Sequence, residues 1–196
     1  MELVRGLHNV DRAARGCVLT IGAFDGIHRG HQEMIRVLRT IAAAQRLAAA
    51  GLSFEPTPRE FFARATPPAR LTRFREKYAA LCHYGVERFV CLRFDSALRS
   101  MSAEEFISQV LVDALGAQHV VVGHDFKFGR NMAGNVGTLH AAGPAAGFAV
   151  TEVPPFEVDG ERVSSSLIRA ALEAGDIAHA TRLLGRPYRM TGRVIE

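Results

Sequence analysis

Three observations in the sequence predict a doubly wound α/β fold, with a parallel sheet covered by helices on both faces and a short helical C-terminal tail. Short apolar runs alternate with helically patterned stretches, the order expected of successive βαβ units. Several of the runs, such as CVLTI and HVVV, are continuously apolar, as strands buried on both faces must be. A chain of 196 residues, 48% hydrophobic and 22% charged, is the size of one domain with a substantial core.

Taken in order, Cys17–Ile21 (CVLTI) reads as the first strand and ends in a Gly-containing turn, and Gly30 opens an amphipathic helix predicted to run to about Ala49. Residues 52–54 close a second strand before the turn-rich EPTPRE. Helical spacing through Phe74, Tyr78 and Leu81 marks residues 73–84. The pattern then repeats. Residues 88–94 (RFVCLRF) read as a strand. Ser102 is an N-cap, with Glu105 three residues on completing a capping box for the helix over 106–115. Residues 119–122 (HVVV) form a further buried strand, and after FAVTEV (148–153) two short helices are expected over 165–175 and 176–184. In a sheet of this kind ligands bind beyond the carboxyl ends of the strands, so the loops after Ile21, Phe54 and Val122 should converge on one cleft. No internal repeat or low-complexity linker interrupts the chain.

Composition narrows the function classes. No apolar run approaches the roughly 20 residues that span a bilayer, and MELVRGLHNVDRAARG lacks the apolar core of a signal peptide, so the expectation is a cytoplasmic protein without a membrane partner. Cys17, Cys82 and Cys91 form no CxxC pair and sit in apolar stretches, as reduced core residues do. The formal charge is +4, but only Lys77 and Lys127 are lysines among 24 basic residues, leaving 22 arginines spread along the chain. Without a basic block interleaved with aromatics, no nucleic-acid partner is expected.

The loop after the first strand carries the strongest signal: Gly22-Ala23-Phe24-Asp25-Gly26-Ile27-His28-Arg29-Gly30-His31. A helix N-terminus offers unpaired N–H groups and the positive end of a dipole, a natural phosphate site, and glycines let the backbone approach a ligand closely. Two imidazoles three residues apart share a helix face and can both donate to a phosphorus centre as negative charge builds on it. A metal site would need a third ligand, and none lies at suggestive spacing, so no metal ligand is assigned to the protein. Neither GxxxxGK[ST] nor GxGxxG is present.

This string, GAFDGIHRGHQ, resembles the HxGH signature of the nucleotidyltransferase superfamily in the form seen in bacterial bifunctional riboflavin kinase/FAD synthetases, whose N-terminal module is an FMN adenylyltransferase with a Rossmann-like sheet. The match runs through Gly22, Phe24, Asp25, Gly26, His28, Gly30 and His31. Phe54-Glu55-Pro56-Thr57-Pro58-Arg59-Glu60-Phe61-Phe62 offers rigid apolar surface suited to a flat ring. It is similar to the family's flavin-side motif FEPHPREFF, with Thr57 where a His is usual. The segment Val122-Gly123-His124-Asp125-Phe126-Lys127-Phe128-Gly129-Arg130 resembles VVGxDFRFG, with Lys127 for Arg; Asn131 and Asn135 stand where more charged residues are expected. Ser164, Ser165 and Ser166 before a helix carrying Arg169 read as caps or as a triphosphate site, and resemble the SSSxIR element that closes over ATP phosphates.

The resemblance implies AMP transfer from MgATP to FMN, giving FAD and pyrophosphate by in-line attack without a covalent intermediate. It implies catalytic roles for His28, His31, Ser165 and Arg169. ATP contacts would come from Gly22, Phe24, Asp25, Gly26, Gly30 and Ser164, and FMN contacts from Phe54, Pro56, Pro58, Phe62, Asp125, Phe128 and Arg130. Mg²⁺ would arrive with ATP. The adenylyltransferase domain is expected over residues 1–186. In the family GRPY leads into the riboflavin kinase barrel, so residues 187–196 are expected to be linker and the start of that module, and no kinase activity is expected from the given sequence. Two other readings stay open: a different HxGH transferase, acting on pantetheine phosphate or nicotinate mononucleotide, and a flavin- or nucleotide-binding module without catalysis.

Overall fold

The structure, a computed structural model, describes residues 1–11 and 16–192. The strands are β1 (Glu2–Arg5), β2 (Cys17–Ile21), β3 (Ala48–Glu55), β4 (Arg88–Arg93), β5 (Ala117–Gly123), β6 (Lys127–Phe128), β7 (Gly134–Asn135), β8 (Ala149–Val153), β9 (Glu157–Val158) and β10 (Glu161–Arg162). The helices are α1 (Arg29–Gln45), α2 (Pro58–Phe62), α3 (Phe74–His83), α4 (Ser96–Ser100), α5 (Ala103–Glu105), α6 (Val136–Ala146), α7 (Ser165–Glu173) and α8 (Ile177–Leu184). α5 continues into a π-helical segment, Phe106–Ala114. Of the expected 187–196 linker, residues 193–196 lie outside the described residues.

Six strands form one sheet in the order β1-β4-β3-β2-β5-β8, parallel throughout. The chain builds outward from β2 in one direction through β3 and β4, then returns to the other side for β5 and β8. The carboxyl end of β2 therefore lies where strand order reverses, the place a doubly wound sheet reserves for ligands. Two-residue ladders β6·β7 and β9·β10 stand apart as small antiparallel hairpins.

Successive residues of the central strands feed opposite layers. Leu19 and Ile21 join one core cluster with Val120 and Val122, while Val18 and Val121 join the other, under α1 and α3. Both faces are covered, which is why these strands carry no polar alternation. A third cluster of Leu71, Val163, Ile168, Leu183 and Leu184 seats α7 and α8 against the edge of the β2 loop.

Several boundaries differ from the sequence expectation. α1 begins at Arg29 and ends at Gln45, with Arg46 in the left-handed conformation (φ 56°), so the predicted helix to Ala49 runs too far. Ala48-Ala49-Ala50-Gly51 belongs to β3 because ladders to β2 and β4 outweigh the weak strand preference of small residues. β1 and α6 carry no clear local signal: β1 has four residues, and α6 holds Gly137, Gly143 and Pro144 yet is started by an Asn135 capping box.

Candidate active site

The β2 loop is a strained turn held from below. Phe24 (φ 49°) and Ile27 (φ 44°) occupy the left-handed region, which costs a bulky residue on the order of 1 kcal/mol or more. Burial compensates, since both side chains are fully enclosed. Gly26 lies between them at φ 87°, where a Cβ would also meet Leu71 Cδ1 at 2.9 Å. The Asp25 carboxylate fastens the turn. Its Oδ1 accepts from the Leu71 and Thr72 N–H groups, each at 3.0 Å, and from Thr72 Oγ1 at 3.2 Å, while Oδ2 pairs with Arg169.

His28 is the N-cap of α1, which begins one residue before the expected Gly30. Its Nδ1 accepts the His31 N–H at 3.4 Å, which leaves Nε2 to carry the proton. The two imidazoles stack with centroids 3.7 Å apart and planes at 19°, and Phe24 backs His31 at 5.4 Å. His31 Nδ1 is buried without a hydrogen-bond partner. Burial lowers the His28 pKa from 6.5 to about 4, against the opposing pull of Asp25. Burial, then His28 and then Lys77, hold His31 well below its ordinary value. Both rings are therefore neutral N–H donors at pH 7.

A linkage follows from the His28 shift. The unfolded chain binds a proton at this residue below about pH 6.5 and the folded chain only near pH 4, so its contribution to stability is complete above 6.5 and declines as pH falls towards 4. The expected loss is on the order of 3 kcal/mol across that window, with His31 acting in the same direction. Urea denaturation at stepped pH should show a shallower decline for His28→Gln than for the wild type; equal slopes would contradict the shift.

The histidine pair opens into a cleft of about 480 Å³ walled by the loops after β2, β3, β5 and β8 and by the start of α7. It brings together Gly22, Asp25, His28, Gly30, His31, Phe54, Pro58, Asp125, Ser164, Ser165 and Arg169 from the sequence-derived set. The remaining residues of that set are placed elsewhere. Phe24 is core, Gly26 underlies the turn, and Phe128 is buried behind Phe126, ring to ring at 5.5 Å. Pro56 and Arg130 are exposed away from the cleft wall. Phe62, half-exposed, packs on Phe94 and beneath Arg99.

On the α7 side, Ser164 caps the helix by accepting the Leu167 N–H at 3.1 Å. Ser165 Oγ donates to the Asp25 carbonyl at 2.9 Å. Arg169 donates to the Ala69 carbonyl at 2.6 Å and pairs with Asp25, tying α7 to the β2 loop. Asp125 pairs with Arg162 at 2.5 Å across the cleft mouth.

The model of the FAD synthetase family matches residues 10–167. The chain belongs to this family. It is 50% identical over 195 residues to the bifunctional riboflavin kinase/FMN adenylyltransferase of Pseudomonas fluorescens, covering 100% of this chain and 62% of that protein. The chain thus spans less than two thirds of this curated relative. A solved Streptococcus pneumoniae chain described as a macrolide-efflux protein superposes with a TM-score of 0.86 at 28% identity, over 96% of this chain and 61% of its own. Pantothenate synthetase from Thermus thermophilus gives a TM-score of 0.51 at 18% identity, over 94% and 81%, a likeness of fold alone. No helix among the described residues is long and apolar enough to cross a membrane.

The positions where the chain departs from the motifs it resembles have local structural roles. Thr57 is the N-cap of α2, in a capping box with Glu60. Asn131 adopts φ 57°, a conformation that asparagine tolerates better than most residues, and Asn135 caps α6 by accepting the Thr138 N–H at 3.1 Å.

An ionic cluster that the sequence reading did not include lies beside the loop after β3. Arg70 pairs with both Glu55, at 2.6 Å, and Glu60, while Lys77 Nζ donates to Glu55 Oε1 at 3.2 Å. Burial alone would raise the Glu60 pKa, but bonds from Arg70 and Thr57 hold it down to about 2. Lys77 was detectable: it falls three residues after Phe74 and four before Leu81, on the apolar face of α3.

Proposed function

We propose that the chain transfers the adenylyl group of MgATP to FMN, giving FAD and pyrophosphate. The observation that carries this reading is the stacked pair of neutral imidazoles at the start of α1, facing a cleft whose other wall is the Phe54–Pro58 loop. An oxygen of the FMN phosphate attacks the α-phosphorus, a new P–O bond forms, and the bond to the departing pyrophosphate breaks. The FMN phosphate is ionised near neutral pH, so the step needs no general base. What the site must supply is orientation and donors for charge building on the α-phosphate. His28 Nε2–H, the His31 ring and the first N–H groups of α1 are suited to that task. The start of α7, with Ser164, Ser165 and Arg169, is suited to the β- and γ-phosphates, and Phe54, Pro58 and Phe126 to the flavin ring.

The described residues of the cleft are poorly equipped to hold a metal. Among the described residues no group of three His, Cys, Asp or Glu could chelate one, and the carboxylates of Asp25, Glu55 and Glu60 are committed to Arg169, Arg70 and Lys77. Magnesium belongs to the substrate MgATP, bound through its phosphates.

Pyrophosphate release from MgATP, measured with FMN, pantetheine phosphate and nicotinate mononucleotide in separate reactions, tests the acceptor. Release is expected with FMN alone. Release with either other acceptor in preference to FMN would replace this reading with another HxGH transferase, and flavin binding without release would leave a binding module.

A further inference from the structure

We propose that the Lys77 ammonium receives the phosphate of the acceptor, and so makes the site select a phosphorylated flavin over riboflavin. The proposal rests on the adenylyl-transfer reading of the cleft. Lys77 is 1% exposed yet lines the cleft, whereas Lys127, the other lysine, is exposed. An ammonium carries three N–H donors. Among the described residues its partner is Glu55, at a loose 3.2 Å, and that carboxylate is shared with Arg70, which holds its other oxygen at 2.6 Å. Burying an ammonium is expensive, and a partner offsets the cost only with close geometry and with the remaining protons satisfied. Among the described residues neither condition holds here, which points to a ligand as the missing partner.

Position identifies the ligand. Glu55 is the last residue of β3 and leads directly into the Pro56-Thr57-Pro58 turn of the flavin-side wall, while Lys77 lines the same cleft as His28 and His31 on the nucleotide side. Lys77 therefore stands between the two halves of the cleft, where an acceptor phosphate must approach the α-phosphorus of an anionic triphosphate. A desolvated cation at that junction offsets the repulsion between the two anions. A riboflavin hydroxyl would leave it uncompensated.

The test is a titration of FMN and of riboflavin, followed by flavin fluorescence, with wild-type protein, Lys77→Met and Glu55→Gln. Wild type should prefer FMN. Lys77→Met should weaken FMN binding about tenfold or more while changing riboflavin binding less than about threefold, so that the preference collapses. Glu55→Gln, which keeps the ammonium but removes its ion pair, should retain the preference. If Lys77→Met does not fold, Lys77→Gln carries the same expectation. A Lys77 variant that keeps the wild-type FMN-to-riboflavin ratio overturns the proposal. So does a Glu55→Gln protein that loses the preference equally, since the lysine would then be a structural ion pair. Wild-type protein that binds both flavins equally overturns it while leaving adenylyl transfer intact, and wild type that binds neither sinks the underlying reading as well.

Discussion

His28→Ala is expected to lower the rate of FAD formation by about 10²–10³ while FMN affinity stays within about threefold of wild type, because a donor aimed at developing charge acts mainly in the transition state. The structure explains why this residue is the better probe of the pair. Its Nδ1 is occupied by the His31 N–H, so Nε2 carries the ring proton, and burial keeps the ring neutral at working pH. Losing the N-cap costs about 1 kcal/mol of stability, too little to abolish folding. His31→Ala would be harder to interpret, since it removes the stacking partner of His28 and the neighbour of Phe24 together. Initial rates at saturating MgATP, with FMN binding measured separately, decide the matter. A variant within about threefold of wild-type kcat would remove His28 from the chemistry.

Asp25→Ala is expected to destabilise the fold by about 3–5 kcal/mol, the cost of stranding one member of a buried ion pair. Arg169, with 13% of its side chain exposed, would lose its carboxylate, and the Leu71 and Thr72 N–H groups would lose a shared acceptor. Asp25→Asn keeps an oxygen for those two groups and should lose less. Urea denaturation measures both. If the pair acts as a unit, Asp25→Ala combined with Arg169→Ala should cost clearly less than the sum of the single changes. A loss under about 1 kcal/mol for Asp25→Ala would show that the turn is held by Phe24 and Ile27 burial alone.

These two residues also mark how far the sequence could be read. The doubly wound sheet was legible because the apolar runs at 17–21 and 119–122 are buried on both faces, and strand order then dictates where their loops meet. The Gly-rich loop was legible because its histidines and glycines have few other uses in that spacing. What the sequence did not show was the partnering of charges far apart along the chain. Asp25 read as an ATP contact and Arg169 as a catalytic residue, and nothing in the sequence showed that the two side chains pair with each other in the fold. Phe24 and Phe128 read as contact residues, but their side chains are enclosed behind the residues that face the cleft. Thr57, Asn131 and Asn135 read as departures from a motif, and only backbone geometry reveals them as caps and a left-handed residue. Lys77 was passed over although its helical phase, three residues after Phe74 and four before Leu81, is that of the core.

We propose that this chain makes FAD from FMN. Incubation of the purified chain with MgATP and FMN, with riboflavin replacing FMN in a parallel reaction, followed by chromatographic separation of the flavins, tests it most directly. FAD with stoichiometric pyrophosphate is expected from the FMN reaction and none from riboflavin. A folded protein that binds FMN and MgATP yet forms no FAD would contradict it.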